Sequence, residues 1–192
     1  MDTGFVTREQ ERLLGELFSF LRIPSVSTLP ANAADCRRAA DWLMDEFKRL
    51  KCAKVTLLEG KGHPIVWAES PRVPGKPTVL FNVHLDTVPF GNGWSSNPLQ
   101  LRIADERAFG RGVCDIKGAA AVLLTLAEQG AENLALLFTS DEEGAGGCCV
   151  ERFLGTGEAG RFRQVVVAEP TLCTAVTAHR GFLSVKTRFQ GV

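Results

Sequence analysis

The chain has 192 residues, and its 22 Lys and Arg balance 22 Asp and Glu, so the formal net charge is zero. This balance disfavours nucleic acid or an anionic membrane surface as a partner, because both need a surplus of cations. The longest apolar stretch, residues 119–127, is too short to span a bilayer. Since the N-terminus also has no signal-peptide pattern, we expect a cytoplasmic protein.

Two amphipathic helices are predicted at the start of the chain. Residues 7–23 carry one apolar stripe, with Thr7 and Gln10 as a capping box, and Pro24 ends the helix. Residues 35–50 repeat the pattern. Strands are predicted at 54–59 and 64–69, with a glycine-containing turn at 60–62 between them.

Continuous apolar runs predict three buried strands, at 78–84, 133–139 and 164–168, because strands covered on both faces need no polar alternation. An Ala- and Leu-rich helix at 117–129 lies between the first two. This order predicts an α/β fold with a mixed, mostly parallel sheet flanked by helices. The six cysteines form no C-x-x-C pair, so we expect reduced and mostly buried thiols.

Polar side chains gather after the carboxyl ends of the predicted strands, the edge at which open α/β sheets bind ligands. They are His84, Asp86, Asp115, Asp141, Glu142, Glu143 and Glu169. One imidazole with several carboxylates is a mixed nitrogen and oxygen ligand set, which suits Zn²⁺, Co²⁺ or Mn²⁺. A bridging carboxylate such as that of Asp115 suits two ions about 3.5–4 Å apart.

Spacing suggests roles for some of these groups. His84 and Asp86 are two positions apart and point to the same side of a strand, so Asp86 can orient the imidazole for a metal. Side chains at 142 and 143 diverge, so either one binds metal while the other faces a bound water. The motif GRGVCDIKG at 110–118 approximates a dinucleotide fingerprint, but Asp115 replaces its third glycine, which excludes nucleotide binding.

Four motifs together resemble the M20 metallopeptidases: VHLDTVP at 83–89, GRGVCDIKG at 110–118, DEE at 141–143 and AEPT at 168–171. IPSVS at 23–27 and AHRG at 178–181 fit the same family, and the acetylornithine and acetylcitrulline deacetylases resemble the chain most. The resemblance implies a phosphorylase/hydrolase-like catalytic domain of a di-metal peptidase over 1–178. Residues 179–192 would begin a smaller α+β lid or dimerisation domain, with a strand at 182–190.

The resemblance also implies the ligands of two divalent metal ions, Zn²⁺ or Co²⁺. His84 and Glu169 would bind one ion, Glu143 would bind the other, and Asp115 would bridge both. A glutamate at position 169, rather than an aspartate, resembles the pattern of the acyl-amino-acid and carboxypeptidase branch of the family.

Two further roles follow from the same resemblance. Asp86 would orient the imidazole of His84, and Glu142 would be the general base. A cis peptide bond is expected between Asp115 and Ile116.

The implied function is metal-dependent removal of the acetyl group from N-acetyl-L-ornithine or N-acetyl-L-citrulline, in arginine biosynthesis. The alternatives are a succinyl-diaminopimelate desuccinylase, an aminoacylase, or a non-catalytic metal-binding module. Family members are about twice as long, form homodimers, and take the last ligand of the second ion, a histidine, from their C-terminal part. His179 does not occupy that position, so we expect a fragment that is weakly active or inactive by itself.

Overall fold

The computed structural model describes residues 4–60, 63–144, 148–178, 180–181, 183 and 185–191. The α-helices of this part are α1 (Gly4–Arg8), α2 (Gln10–Leu21), α3 (Ala33–Arg49), α4 (Gly118–Glu128) and α5 (Cys149–Gly155). The strands are β1 (Lys54–Leu58), β2 (Ile65–Glu69), β3 (Val79–His84), β4 (Arg102–Ala104), β5 (Arg107–Phe109), β6 (Leu134–Thr139) and β7 (Gln164–Val167). Short 3₁₀ turns occupy Pro30–Asn32 and Glu158–Arg161.

The main sheet has the strand order β1-β2-β6-β3-β7. Strands β6, β3 and β7 run parallel, whereas β2 is antiparallel to β6 and β1 is antiparallel to β2. The mixed α/β sheet flanked by helices is therefore confirmed. Its three parallel strands end at the same edge, and this edge positions the polar residues discussed below.

Helices cover both faces of this sheet. On one face α2, α3 and α4 pack against a core that includes Phe47 of α3 and Phe138 of β6, whose ring centroids are 5.7 Å apart. On the other face α5 places Phe153 against Trp67 of β2, edge to face at 5.4 Å. The central strand β6 is buried almost throughout, as its continuous apolar run predicts.

The predicted first helix differs from the observed one at its start. The chain forms two helices there, α1 and α2, and Thr7 lies inside α1. Glu9 is the N-cap of α2 and makes no side-chain capping bond, so the predicted capping box of Thr7 and Gln10 is wrong. Thr7 belongs to the preceding helix, so it is not the N-cap of α2. Apart from the predicted strand at 182–190, the other predicted helices and strands are observed within a few residues of their predicted bounds.

Strand β7 is the one predicted buried strand that the structure leaves exposed. All four of its residues are exposed, and Val165 and Val167 keep more than half of their surface. The prediction is wrong because β7 lies at the edge of the sheet, where β3 is the only described strand that pairs with it. A continuous apolar run indicates that a strand is suited to burial on both faces, but it does not show that other elements pack against those faces.

Three elements were not predicted: β4 and β5, which form a hairpin, and the helix α5. His179 lies outside the described residues. The predicted turn at 60–62 and the predicted strand at 182–190 lie partly outside them. Residues 185–191 are described and form no regular element. Within the described part of the chain, no helix is long and apolar enough to cross a membrane.

Candidate metal centre

The register of the parallel strands brings the predicted site residues to one level. His84 ends β3 directly beside Thr139, the last residue of β6, so Glu142 and Glu143 follow in the adjoining turn. On the other side Asn82 pairs with Val167, which puts position 169 level with His84. Residues that are far apart in sequence therefore meet because their strands end together.

Asp115 reaches this edge from the irregular turn Val113–Lys117, whose dihedral angles at Asp115 and Ile116 are not helical. The peptide bond between those two residues is cis, as expected. Gly112 has a φ of +90°, which favours glycine, and a Cβ on Gly118 would lie 2.3 Å from the carbonyl oxygen of Val113. The glycines of the 110–118 motif thus allow a tight backbone path that delivers Asp115 to the site.

The imidazole of His84 is the centre of the cluster. Its Nε2 atom lies 2.9 Å from Asp115 Oδ1 and 3.9 Å from Glu169 Oε1. These three residues offer ligand atoms that all lie within 4.8 Å of one another. A second group, His84, Glu142 and Glu143, meets the same distance limit. His84 is buried, whereas the side chains of Asp115 and Glu169 are 49% and 37% exposed, so the cluster opens to solvent.

The second imidazole nitrogen faces Asp86. His84 Nδ1 lies 3.0 Å from the main-chain oxygen of Asp86 and 3.6 Å from its carboxylate Oδ1. Burial lowers the pKa of His84, but contacts with Asp86 and the charge of Glu169 outweigh it and raise the pKa to about 9. Nδ1 thus faces two oxygen acceptors of Asp86, while Nε2 faces the carboxylates of Asp115 and Glu169.

The buried carboxylate of Asp86 is itself held by donors. Its Oδ2 atom accepts from Ser27 Oγ at 2.6 Å and from the amide of Glu143 at 3.0 Å, and its Oδ1 lies 3.4 Å from the amide of Glu142. Burial raises the pKa of Asp86, yet the hydrogen bonds from His84, Ser27 and Glu143 lower it below its usual value. Asp86 is therefore an anion that joins the end of β3 to the turn after β6.

The carboxylates at the rim crowd one another. Burial and the charge of Asp115 raise the pKa of Glu143. Burial raises the pKa of Glu169 as well, and Asp115 and Glu142 add to this effect while His84 opposes it. Neighbouring carboxylates repel one another when they are ionised. A cation bound between them is therefore favourable, because its positive charge offsets this repulsion.

Chemically, this donor set fits one divalent ion. His84, Asp115 and Glu169 supply one nitrogen and two carboxylates, which matches a catalytic zinc-type site with three protein ligands and an open position. The second group, His84, Glu142 and Glu143, also offers one nitrogen and two carboxylates, and it shares the imidazole with the first group. Asp141, the remaining polar residue of this edge, accepts a hydrogen bond from the amide of Cys149 at 2.8 Å at the start of α5.

Two residues of this region have no role in the sequence analysis. Ser27 contacts Asp86, and Lys117 is 1% exposed, with its Nζ atom donating to the carbonyl oxygens of Phe20 and Ile23. Their motifs, IPSVS and GRGVCDIKG, were both recognised. However, nothing in a linear pattern indicates that position 27 and position 86 are in contact.

The chain resembles known proteins in sequence. The sequence profile described as Peptidase family M20/M25/M40 matches residues 80–180, more than half of the chain. An N-acetyl-L-citrulline deacetylase of Xanthomonas campestris pv. campestris is 50% identical over 119 residues, 62% of this chain and 32% of that protein. A succinyl-diaminopimelate desuccinylase of Azoarcus sp. is 35% identical over 144 residues, 66% of this chain and 37% of that protein.

Solved structures agree in fold. Human carnosine dipeptidase 1 superposes with a TM-score of 0.77 at 22% identity, over 86% of this chain and 40% of the human chain. The M20 family metallo-carboxypeptidase Sso-CP2 from Sulfolobus solfataricus gives a TM-score of 0.66 at 26% identity, over 81% and 37% of the two chains. These matches span less than half of each relative. The chain belongs to peptidase family M20/M25/M40.

Proposed function

We propose that this chain is a metal-dependent amidohydrolase that removes the acyl group from an N-acyl amino acid. The observation that carries this proposal is the convergence of His84, Asp115 and Glu169 beside Glu142 and Glu143, in a chain of the M20 family. The 50% identity to an N-acetyl-L-citrulline deacetylase supports N-acetyl-L-citrulline or N-acetyl-L-ornithine as the substrate.

A second candidate is removal of a succinyl group from succinyl-diaminopimelate. Desuccinylases are 35% and 36% identical to this chain, and these matches cover longer segments than the match to the deacetylase. Both reactions hydrolyse the amide bond between an acyl group and the amino nitrogen of an amino acid. They differ in the acyl group, so a comparison of acyl donors separates them.

For the metal site, the proposed ligands are His84 and Glu169 for one Zn²⁺ or Co²⁺ ion, Glu143 for a second ion, and Asp115 between them. Ions bound there would polarise the acyl carbonyl and lower the pKa of a coordinated water to about 7. The partly exposed Asp115 and Glu169 leave this side of the site open to a small substrate.

The protein's own groups would move the proton. Glu142 is an exposed side chain next to Glu143 and belongs to one of the two ligand-like groups, so it is positioned to take a proton from water. It would return this proton to the departing amine. Asp86 would keep the imidazole of His84 in one tautomer throughout, through the contacts at Nδ1.

The test measures metal and turnover separately on the 192-residue chain. Metal content after incubation with Zn²⁺ or Co²⁺ and dialysis should exceed that of buffer controls. Release of acetate from N-acetyl-L-citrulline and N-acetyl-L-ornithine, and of succinate from succinyl-diaminopimelate, then identifies the acyl group. Glu142→Gln should keep its metal and lose about 10²- to 10⁴-fold in turnover.

Each result has a clear meaning for the proposal. Turnover by the native chain together with its loss in Glu142→Gln supports the hydrolase. Metal binding without turnover by the native chain would favour a metal-binding module, and a folded chain that retains no metal would contradict the site. A Glu142→Gln variant with unchanged kcat would disprove the role of Glu142 as the base.

A further inference from the structure

The segment IPSVS at 23–27 continues the sheet edge next to the candidate site. Val26 forms a parallel bridge with Thr87, and the amide of Thr87 donates to the carbonyl oxygen of Ser25 at 2.9 Å. The hydroxyl of Ser25 donates to the carbonyl oxygen of Leu85 at 2.7 Å. Ser25 and Val26 are buried, so the segment is packed firmly beside the residues that follow β3.

One side chain of this segment reaches the polar cluster. Ser27 Oγ donates to Asp86 Oδ2 at 2.6 Å, a length typical of a charge-assisted hydrogen bond between a hydroxyl and a carboxylate. The same oxygen accepts the amide of Glu143, while the other oxygen faces the amide of Glu142 and the imidazole of His84. Three separate segments therefore meet at one carboxylate.

Resting on the proposed function, we propose that Ser27 is a positioning residue, which holds the Asp86 carboxylate so that it orients both His84 and the turn that carries Glu142 and Glu143. The terminal torsion of an aspartate side chain is broad, so donors must fix its rotation. Without Ser27, one amide would remain on Oδ2. Ser27 lies behind Asp86 and acts on the site through it.

The surroundings of Ser27 support this role. A Cβ on Gly144 would lie 2.9 Å from Ser27 Oγ, so the hydroxyl packs directly against the turn that follows β6. At the other end of the segment, Lys117 Nζ donates to the carbonyl oxygen of Ile23 at 2.7 Å. Residues 23–27 thus connect the stretch that carries Asp115 with the turn that carries Glu142 and Glu143.

The first experiment compares Ser27→Ala with Ser25→Ala, a matched control. Both variants lose one short hydroxyl hydrogen bond from the same segment, but only Ser27 donates to a carboxylate. Co²⁺ binding is followed by calorimetry and by the visible absorption of the bound ion. We expect Ser27→Ala to bind Co²⁺ about 10- to 100-fold more weakly, the usual effect of losing a group that orients a metal ligand. Ser25→Ala should lose thermal stability and keep its Co²⁺ affinity, and equal losses of affinity in both variants would overturn the proposal.

A double-mutant cycle tests whether Ser27 acts through Asp86. In an Asp86→Ala background the hydroxyl has no carboxylate to hold, so adding Ser27→Ala should change Co²⁺ affinity little. The same fold loss with and without Asp86 would overturn the proposal.

Amide hydrogen exchange of the metal-free chain gives an independent result. Peptides that contain Glu142 and Glu143 should exchange faster in Ser27→Ala than in the native chain, and unchanged exchange would overturn the proposal. Ser25→Ala is again the control. If the native chain binds no Co²⁺, the proposed function fails, whereas this exchange experiment still decides the role of Ser27.

Discussion

The imidazole Nε2 of His84 and the carboxylate Oδ1 of Asp115 lie 2.9 Å apart, although 31 positions separate them in the chain. The other imidazole nitrogen faces Asp86, and the surrounding carboxylates raise the pKa of His84 to about 9. In the metal-free chain a proton on His84 therefore occupies the position that suits a divalent cation. This contact is the centre of the candidate site.

Replacing His84 by Ala should remove the nitrogen ligand of the metal site. We expect Zn²⁺ content after dialysis to fall to background, because the remaining carboxylates bind such ions weakly without the imidazole. Atomic spectroscopy of the purified protein measures this. His63→Ala is the control, since Nδ1 of His63 pairs with the carbonyl oxygen of Ser140 and His63 belongs to neither ligand-like group. Equal metal retention in the two variants would contradict the site.

Lys117→Ala should destabilise the fold. Its Nζ atom donates to the carbonyl oxygens of Phe20 and Ile23 and lies 4.7 Å from the centre of the Phe20 ring. Burial lowers the pKa of Lys117 to about 7, so a neutral amine can serve both carbonyls near neutral pH. Losing both bonds and the buried stem should reduce the free energy of unfolding by about 2–4 kcal/mol.

Urea denaturation measures this change, with Lys76→Ala on the exposed surface as the control. The control should stay within about 0.5 kcal/mol of the native chain. A Lys117→Ala variant as stable as the control would show that the two carbonyls find other partners.

Phe138→Ala should be among the most destabilising substitutions in the central sheet. Phe138 is fully buried on β6 and packs against Phe47 of α3. Truncation of such a ring costs about 3–5 kcal/mol, since it removes buried apolar area and leaves a cavity. Denaturation compared with Leu172→Ala, whose side chain is almost fully exposed, checks this. Similar losses in both variants would disagree with the described core.

Cysteine reactivity should depend on pH in two distinct groups. Cys114, Cys148 and Cys173 are exposed, which corrects the expectation of mostly buried thiols, and should react with iodoacetamide at pH 8. Burial raises the pKa of Cys36 and of Cys149 to about 11, so both stay protonated and unreactive there. Mass spectrometry of the alkylated native chain should show this division, and labelling of Cys36 at pH 8 without unfolding would contradict it.

The same two thiols affect stability at high pH. Their folded pKa of about 11 is raised above an unfolded value of about 8.5, so the folded state binds the proton more tightly. This contribution is fully present below pH 8.5 and is lost as pH rises toward 11. A Cys36→Ala and Cys149→Ala double variant should show a smaller decrease in unfolding free energy over that range.

Several features were predictable because they depend on local patterns. The apolar run at 133–139 indicated the buried strand β6, since an unbroken apolar run has few other stable locations. His84, Asp115 and Glu169 were singled out at strand ends and in the loops after them, and the resemblance to the M20 family implied that they bind metal. The structure places their possible ligand atoms together. The roles assigned to all six site residues, which are His84, Asp86, Asp115, Glu142, Glu143 and Glu169, remain predictions.

By itself, the sequence determined the type of most main elements and the chemistry available at the sheet edge, because hydrophobic period and side-chain type are local properties of the chain. Only the tertiary structure decided that β7 lies exposed at the sheet edge, and that Ser27 meets Asp86 across 59 positions. The physical reason is that burial and long-range hydrogen bonds depend on strand order and register. These arise when the sheet assembles, and no window of sequence contains them.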